Sequence, residues 1–321
     1  MRKPTASPTA HGPGVRGTAV VALASALIPF ARASDPAAAP AFACRPGGVP
    51  HTVGTEVSPP ERRIGQFPFV DVFSNAPLPR NVIQAAADQV TATFKADGAE
   101  RGQGMSPGSR LKLTLLDDSG FATVYGRRTA GVTLGPSEVS LPLSSVLHPN
   151  PSTRNTIAHE LIHIWQKWTK GNDAQVPGVT TEGGAILVGD STEAREAPHD
   201  SDLSYVGARL AQLTPAEASR ALNAGRTESS LVKDGTCIVR DEMVGGLFVA
   251  WLGQHHAGGA GVSAQLADVE RRVGAGVTFP QAWVQQFRES YAASLQGFLT
   301  FLHDTQRNPS QRLAQTPWAL P

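Results

Sequence analysis

The chain is 321 residues long, with 28 Lys and Arg against 27 Asp and Glu, and with 32 Gly, 25 Pro and two Cys. That length allows a sizeable core, in one large domain or in two lobes around a cleft, and the Gly and Pro content marks a loop-rich chain, not a disordered one. A nearly balanced charge argues against a nucleic-acid partner.

Residues 1–33 carry four basic residues (Arg2, Lys3, Arg16, Arg32) and no acidic one, so the remainder holds 28 − 4 = 24 basic against 27 acidic residues. The basic start, the apolar stretch Thr18 to Phe30 and the A-x-A-like Ala31-Arg32-Ala33 before Ser34 read as an export signal. The alternative is a membrane anchor, but the apolar run is shorter than the ~20 residues needed to span. The expected location is therefore secreted or periplasmic, with no membrane contact once the signal is removed. Ala41-Phe42-Ala43-Cys44 offers a second cleavage site, with Ala41 where a lipoprotein signal usually has Leu.

Residues 34–65, rich in Ala, Pro and Gly, read as an extended leader or linker. Cys44 and Cys237 would share an oxidising compartment, which favours one long-range disulfide; two separate buried thiols are the alternative.

Order is expected from near Phe67. Phe69 to Phe73 alternates as a strand, and Pro79 to Lys95 carries Val82, Ala86, Val90 and Phe94 at helical spacing, ending by Asp97-Gly98. Leu111 to Leu116, Ala122 to Gly126 and Glu138 to Pro142 read as three more strands. Pro142 makes the last of them a plausible edge, because Pro cannot donate to a ladder.

Ser152 is expected to cap a helix over Thr153 to Trp168 that stops at Gly171-Asn172. Within it lies His159-Glu160-Leu161-Ile162-His163. On a helix His159 and His163 are one turn apart and leave the same face, so they can share a metal ion, and Glu160 can reach a water there without being a ligand. Catalytic zinc takes three protein ligands and keeps one position open, and two His with one Glu is a recurring set. Glu182, in Thr181-Glu182-Gly183-Gly184-Ala185, follows His163 after 18 intervening residues, room for a turn at Pro177-Gly178 and a second helix. Thr180 or Thr181 would cap that helix, and its dipole would favour the charged form of Glu182.

His-Glu-x-x-His, 18 residues and Glu-Gly-x-Ala together resemble the gluzincin metallopeptidases. The fuller run through Gln166, Val176-Pro177-Gly178 and Ala185 is similar to the basic secretory protein family and related peptidase-MA-like domains. The specific match covers about thirty residues, and a weaker likeness in element order extends over 65 to 305. The resemblance implies an α+β, zincin-like fold: a lobe over 66–175 with a mixed sheet and the metal helix, a mostly helical lobe over 176–305, a metal cleft between them and a tail from 306. It also implies a sheet edge that pairs with extended peptide substrate. Two positions depart from the family. An acidic residue usually stands four positions after the ligand Glu, where this chain has Ile186, the next acid being Asp190. A Tyr usually precedes the helix expected over Asp241 to His255, where this chain has Glu242 beside Asp241. Tyr205, His199, His255 and His256 are the possible substitutes as donors to the transition state.

The carboxy-terminal part is expected to be helical near Thr214 to Ala224, over Asp241 to His255, which Gly258-Gly259 breaks, and over Ser263 to Val273 and Phe279 to Leu302. The expected activity is peptide-bond hydrolysis by one Zn²⁺ on His159, His163 and Glu182, with Glu160 as general base and a protein or peptide as substrate. No Gly-x-Met-Glu-Asn segment is present, which favours an endopeptidase over an aminopeptidase. The rivals are a catalytically inactive zincin-fold binding protein that holds metal, and a metal-free structural domain. Oligomeric state is left open.

Overall fold

A computed structural model describes residues 23–25 and 61–307, apart from 107, 126–129, 172–174, 197–218, 220–237 and 257–260. The described residues form an α+β protein with one mixed sheet and mostly helices. The strands are β1 (Leu23–Ser25), β2 (Arg62–Gln66), β3 (Val70–Ser74), β4 (Leu111–Leu116), β5 (Gly131–Gly135) and β6 (Glu138–Pro142), in the order β1-β5-β6-β4-β3-β2. β4 runs parallel to β3 and β6, and the other pairings are antiparallel. Its Leu-rich sequence is buried almost throughout, as a central parallel strand requires.

The helices are α1 (Arg80–Glu100), α2 (Asp118–Tyr125), α3 (Ser144–Leu147), α4 (Pro151–Lys170), α5 (Gly178–Glu196), α6 (Ile238–His255), α7 (Val262–Gly274), α8 (Phe279–Phe287) and α9 (Tyr291–Arg307). α4 lies between two cores. Ile157, Leu161, Ile164 and Trp165 join the core that α1 makes with the sheet, around Val70, Phe94 and Leu113. Its other face sets Ala158 and Ile162 against Ala185 and Val188 of α5. A second core, around Phe248, Leu252, Trp283 and Phe298, holds the helical part together. Each fully buried Leu, Ile or Phe contributes about 1.5–3 kcal/mol relative to exposure, so α4 is anchored from both sides. The buried Arg101–Glu270 ion pair ties the end of α1 to α7.

Several expectations need correction. Residues 122–125 are helical, not a strand: Asp117 accepts from the Gly120 amide (2.9 Å) and the Ser119 hydroxyl (2.6 Å), which starts α2 just ahead of the β-branched run. β5 lies outside the expected strands, since three residues between two glycines carry little period. It also displaces β6 from the edge: β6 lies between β4 and β5, and Pro142 fits there because it is the strand's last residue. β2 begins inside the expected leader, at Arg62. α1 continues past Asp97-Gly98, because a Cβ on Gly98 would lie 2.3 Å from Trp165 Cζ2; that glycine serves a helix contact and not a stop. Burial pushes the Asp97 carboxyl well above its usual range. The stretch Phe279 to Leu302 is two helices, broken at Arg288 in the left-handed region (φ 63°). The helix expected near Thr214, the break at Gly258-Gly259 and both cysteines, Cys44 and Cys237, lie outside the described residues.

Candidate metal centre

α4 starts with a reciprocal cap on Asn150, two residues ahead of the expected Ser152. Its side chain accepts from the Thr153 amide (3.0 Å), while the Thr153 hydroxyl accepts from the Asn150 amide (2.8 Å). Pro151 at the first helical position needs no partner for a missing N–H, and Gly171 (φ 78°) ends the helix where expected. α5 starts at Gly178 after Pro177, earlier than expected, so Glu182 lies in its second turn, beyond the strongest reach of the helix dipole.

The tight crossing of α4, α5 and α6 depends on glycine. A Cβ on Gly183 would lie 2.3 Å from the Gly245 carbonyl oxygen, and one on Gly189 would lie 2.3 Å from Asn155 Oδ1. Only hydrogen at these positions lets the backbones come so near, and the approach carries Glu182 to the histidine face of α4.

There the three expected ligands meet. His159 Nε2 and His163 Nε2 are 3.2 Å apart, and Glu182 Oε2 is 3.6 and 3.3 Å from them. Zinc–ligand bonds of about 2.0–2.2 Å at tetrahedral angles put neighbouring donor atoms about 3.3–3.6 Å apart, so the spacing fits a metal of that size. All three side chains are essentially inaccessible to solvent. Apart from these two imidazoles, neither Glu182 oxygen has a hydrogen-bond partner among the described residues. Burial alone would push its carboxyl up, but the charge and hydrogen bonds of the His163 and His159 rings outweigh that and hold it well below the usual carboxylate range. A buried carboxylate is costly unless a cation answers it, which is a second mark of a metal position.

His163 is oriented by its own helix. Its Nδ1 is 2.8 Å from Gln166 Oε1, and Gln166 Nε2 donates to the Thr181 carbonyl (2.7 Å). The amide thus fixes the ring and links it to the turn ahead of Glu182. The partner of His163 is therefore Gln166, within the motif run itself, and not an acid at the position of Ile186. Asp190, the next acid, accepts from Asn155 Nδ2 (2.9 Å), as does Glu193 (2.8 Å).

No family model matches the chain. No curated protein matches it at significant similarity either. The case for this centre therefore rests on its residues and their geometry.

Glu160 is buried beside the triad, between α4 and β5. The Thr133 hydroxyl lies 2.8 Å from its Oε2 and 2.7 Å from its backbone carbonyl, while Oε1 has no hydrogen-bond partner among the described residues. Its stem passes where a Cβ on Gly131 would be, 2.8 Å from Glu160 Cγ. β5, not β6, is thus the strand next to the centre, and an extended segment already pairs with it: Leu23 with Thr133, Ala24 with Val132 and Ser25 with Gly131.

Of the possible transition-state donors, His255 and His256 are not brought here. Gly245 of α6 touches Gly183, but His255 is ten residues further along, about 15 Å at 1.5 Å per residue. Tyr205, His199 and the side chains of Asp241 and Glu242 lie outside the described residues. No described helix is long and apolar enough to cross a membrane.

Proposed function

We propose that the chain is an exported zinc-dependent endopeptidase with a zincin-like fold, its one catalytic zinc held by His159, His163 and Glu182. The observation that carries this is the convergence of three buried donor atoms, 3.2–3.6 Å apart, next to a buried Glu160 that is not one of them. Imidazole and carboxylate donors suit Zn²⁺ over Mg²⁺ or Ca²⁺. When bound, the metal would polarise the scissile carbonyl and lower the pKa of a water. Glu160 would take a proton from the attacking water as its oxygen bonds to the carbonyl carbon. It would then pass that proton to the departing amine nitrogen as the C–N bond breaks. Thr133 would hold one carboxylate oxygen and leave the other for the proton. A peptide substrate is favoured because the side of β5 away from β6, beside Glu160, accepts an extended segment, as it does Leu23–Ser25. That segment lies within the expected export signal, so its removal would free the edge.

Chelator treatment tests the reading. Hydrolysis of an unfolded protein should stop on zinc removal and return with about one zinc per chain. A second reading, a zincin-fold binding protein that turns over nothing, is favoured by the distance of His255 and His256 from the centre. Zinc-loaded protein without hydrolysis would establish it.

A further inference from the structure

The helical part carries another convergence of metal-binding side chains, at the end of α6. His255, His256 and Glu289 each present a ligand atom, and these atoms all lie within 4.8 Å of one another. His256 Nε2 is 3.0 Å from Glu289 Oε1. Neighbouring residues on a helix usually diverge, but here the helix is ending and the two rings stand edge to face, their centroids 4.9 Å apart.

Each side chain is held from behind. His255 stacks on Trp251 at 4.8 Å, and Gln265 Nε2 donates to the His256 carbonyl (3.2 Å). Glu289 follows Arg288, whose left-handed backbone turns the chain between α8 and α9. Its Oε1 accepts from the Ser294 hydroxyl (2.6 Å), which accepts in turn from the buried Trp283 indole (3.0 Å). The acid is therefore fixed and partly open to water.

We propose that His255, His256 and Glu289 form a second, exchangeable site for a borderline divalent transition metal such as Zn²⁺, clamping the end of α6 to the α8–α9 turn. Imidazole-rich donors favour such metals over Ca²⁺ and Mg²⁺. The donors are spread more widely than at the buried centre, and water can complete the shell. Affinity is accordingly weaker and exchange faster.

The test is equilibrium dialysis of the untagged full-length chain against Zn²⁺, with bound metal counted per chain. Wild type should bind one equivalent more than the variant carrying both His255→Ala and Glu289→Gln, and excess Zn²⁺ should raise its Tm by more. His255→Ala alone, at an exposed position, serves if the double variant fails to fold, and should weaken the extra equivalent by at least about tenfold. His163→Ala should remove the buried equivalent and leave this one, so failure at either site is read separately. Equal zinc in wild type and in the folded variants would overturn the proposal, showing adventitious binding elsewhere or a metal-free His256–Glu289 ion pair.

Discussion

His159, His163 and Glu182 are buried on two long helices, whereas His255, His256 and Glu289 stand at a helix end and a turn, partly in water. Both sets offer two imidazoles and a carboxylate, yet the first holds its donors 3.2–3.6 Å apart and the second only within 4.8 Å. The difference lies in what supports them. The buried set is closed in by glycine contacts between helices, so the fold itself fixes the donor spacing. Glu182 is buried and has only the two imidazoles before it, so its negative charge calls for a cation there, and that makes the position selective and strong. The open set needs no such burial, because water and Ser294 already satisfy Glu289. It is cheap to keep without metal and correspondingly weak with it.

The largest effect should come from breaking the buried set. Glu182→Ala and His163→Ala should each take zinc at that position from about one per chain to none and reduce hydrolysis to background. A folded Glu182→Ala protein that keeps its buried zinc would contradict the ligand assignment.

Gly183→Ala sharpens the comparison differently, since it leaves every ligand in place. Its Cβ would meet the Gly245 carbonyl at 2.3 Å, and overpacking of that kind typically costs about 1–3 kcal/mol. Urea denaturation should show that loss, with weakened zinc binding, whereas His255→Ala should stay within about 0.5 kcal/mol.

Gln166→Leu should weaken buried zinc by about 10–100-fold in competition with a chelator, the usual effect of removing a partner behind a ligand histidine. The open site should not respond. Thr133→Val should act least: zinc content unchanged, and kcat lower by about tenfold through loss of one hydrogen bond to a charged group.

Much of the centre was legible because its first part is local. The spacing of His159 and His163 fixes their common face on any helix, and Glu182 stood in its own short motif. What supports them was not legible in the same way. Gln166 acts through a helix turn and a carbonyl in the first turn of α5, and the role of Gly183 exists only once α6 is packed against it. The same holds for the sheet. The Leu-rich β4 was readable from composition, but β5 is short and bounded by glycines, and only the pairing of β6 with both β4 and β5 reveals which strand borders Glu160. α2 was misread because Ala122 to Tyr125 has strand-like residues, while its helix start is set by the side chain of Asp117. The distance of His255 and His256 from Glu182 was not legible either, since it depends on where α6 crosses α5.

The central claim is that Glu160 performs proton transfer beside a metal it does not hold. The most direct measurement compares wild type and Glu160→Gln for hydrolysis of an unfolded protein substrate, with bound zinc determined on the same samples. Glutamine keeps the shape and the contact with Thr133 but cannot accept the proton, so zinc should remain near one per chain at the buried centre while turnover falls by about 10²–10⁴-fold. Equal turnover in the two proteins, with zinc bound in both, would contradict the account.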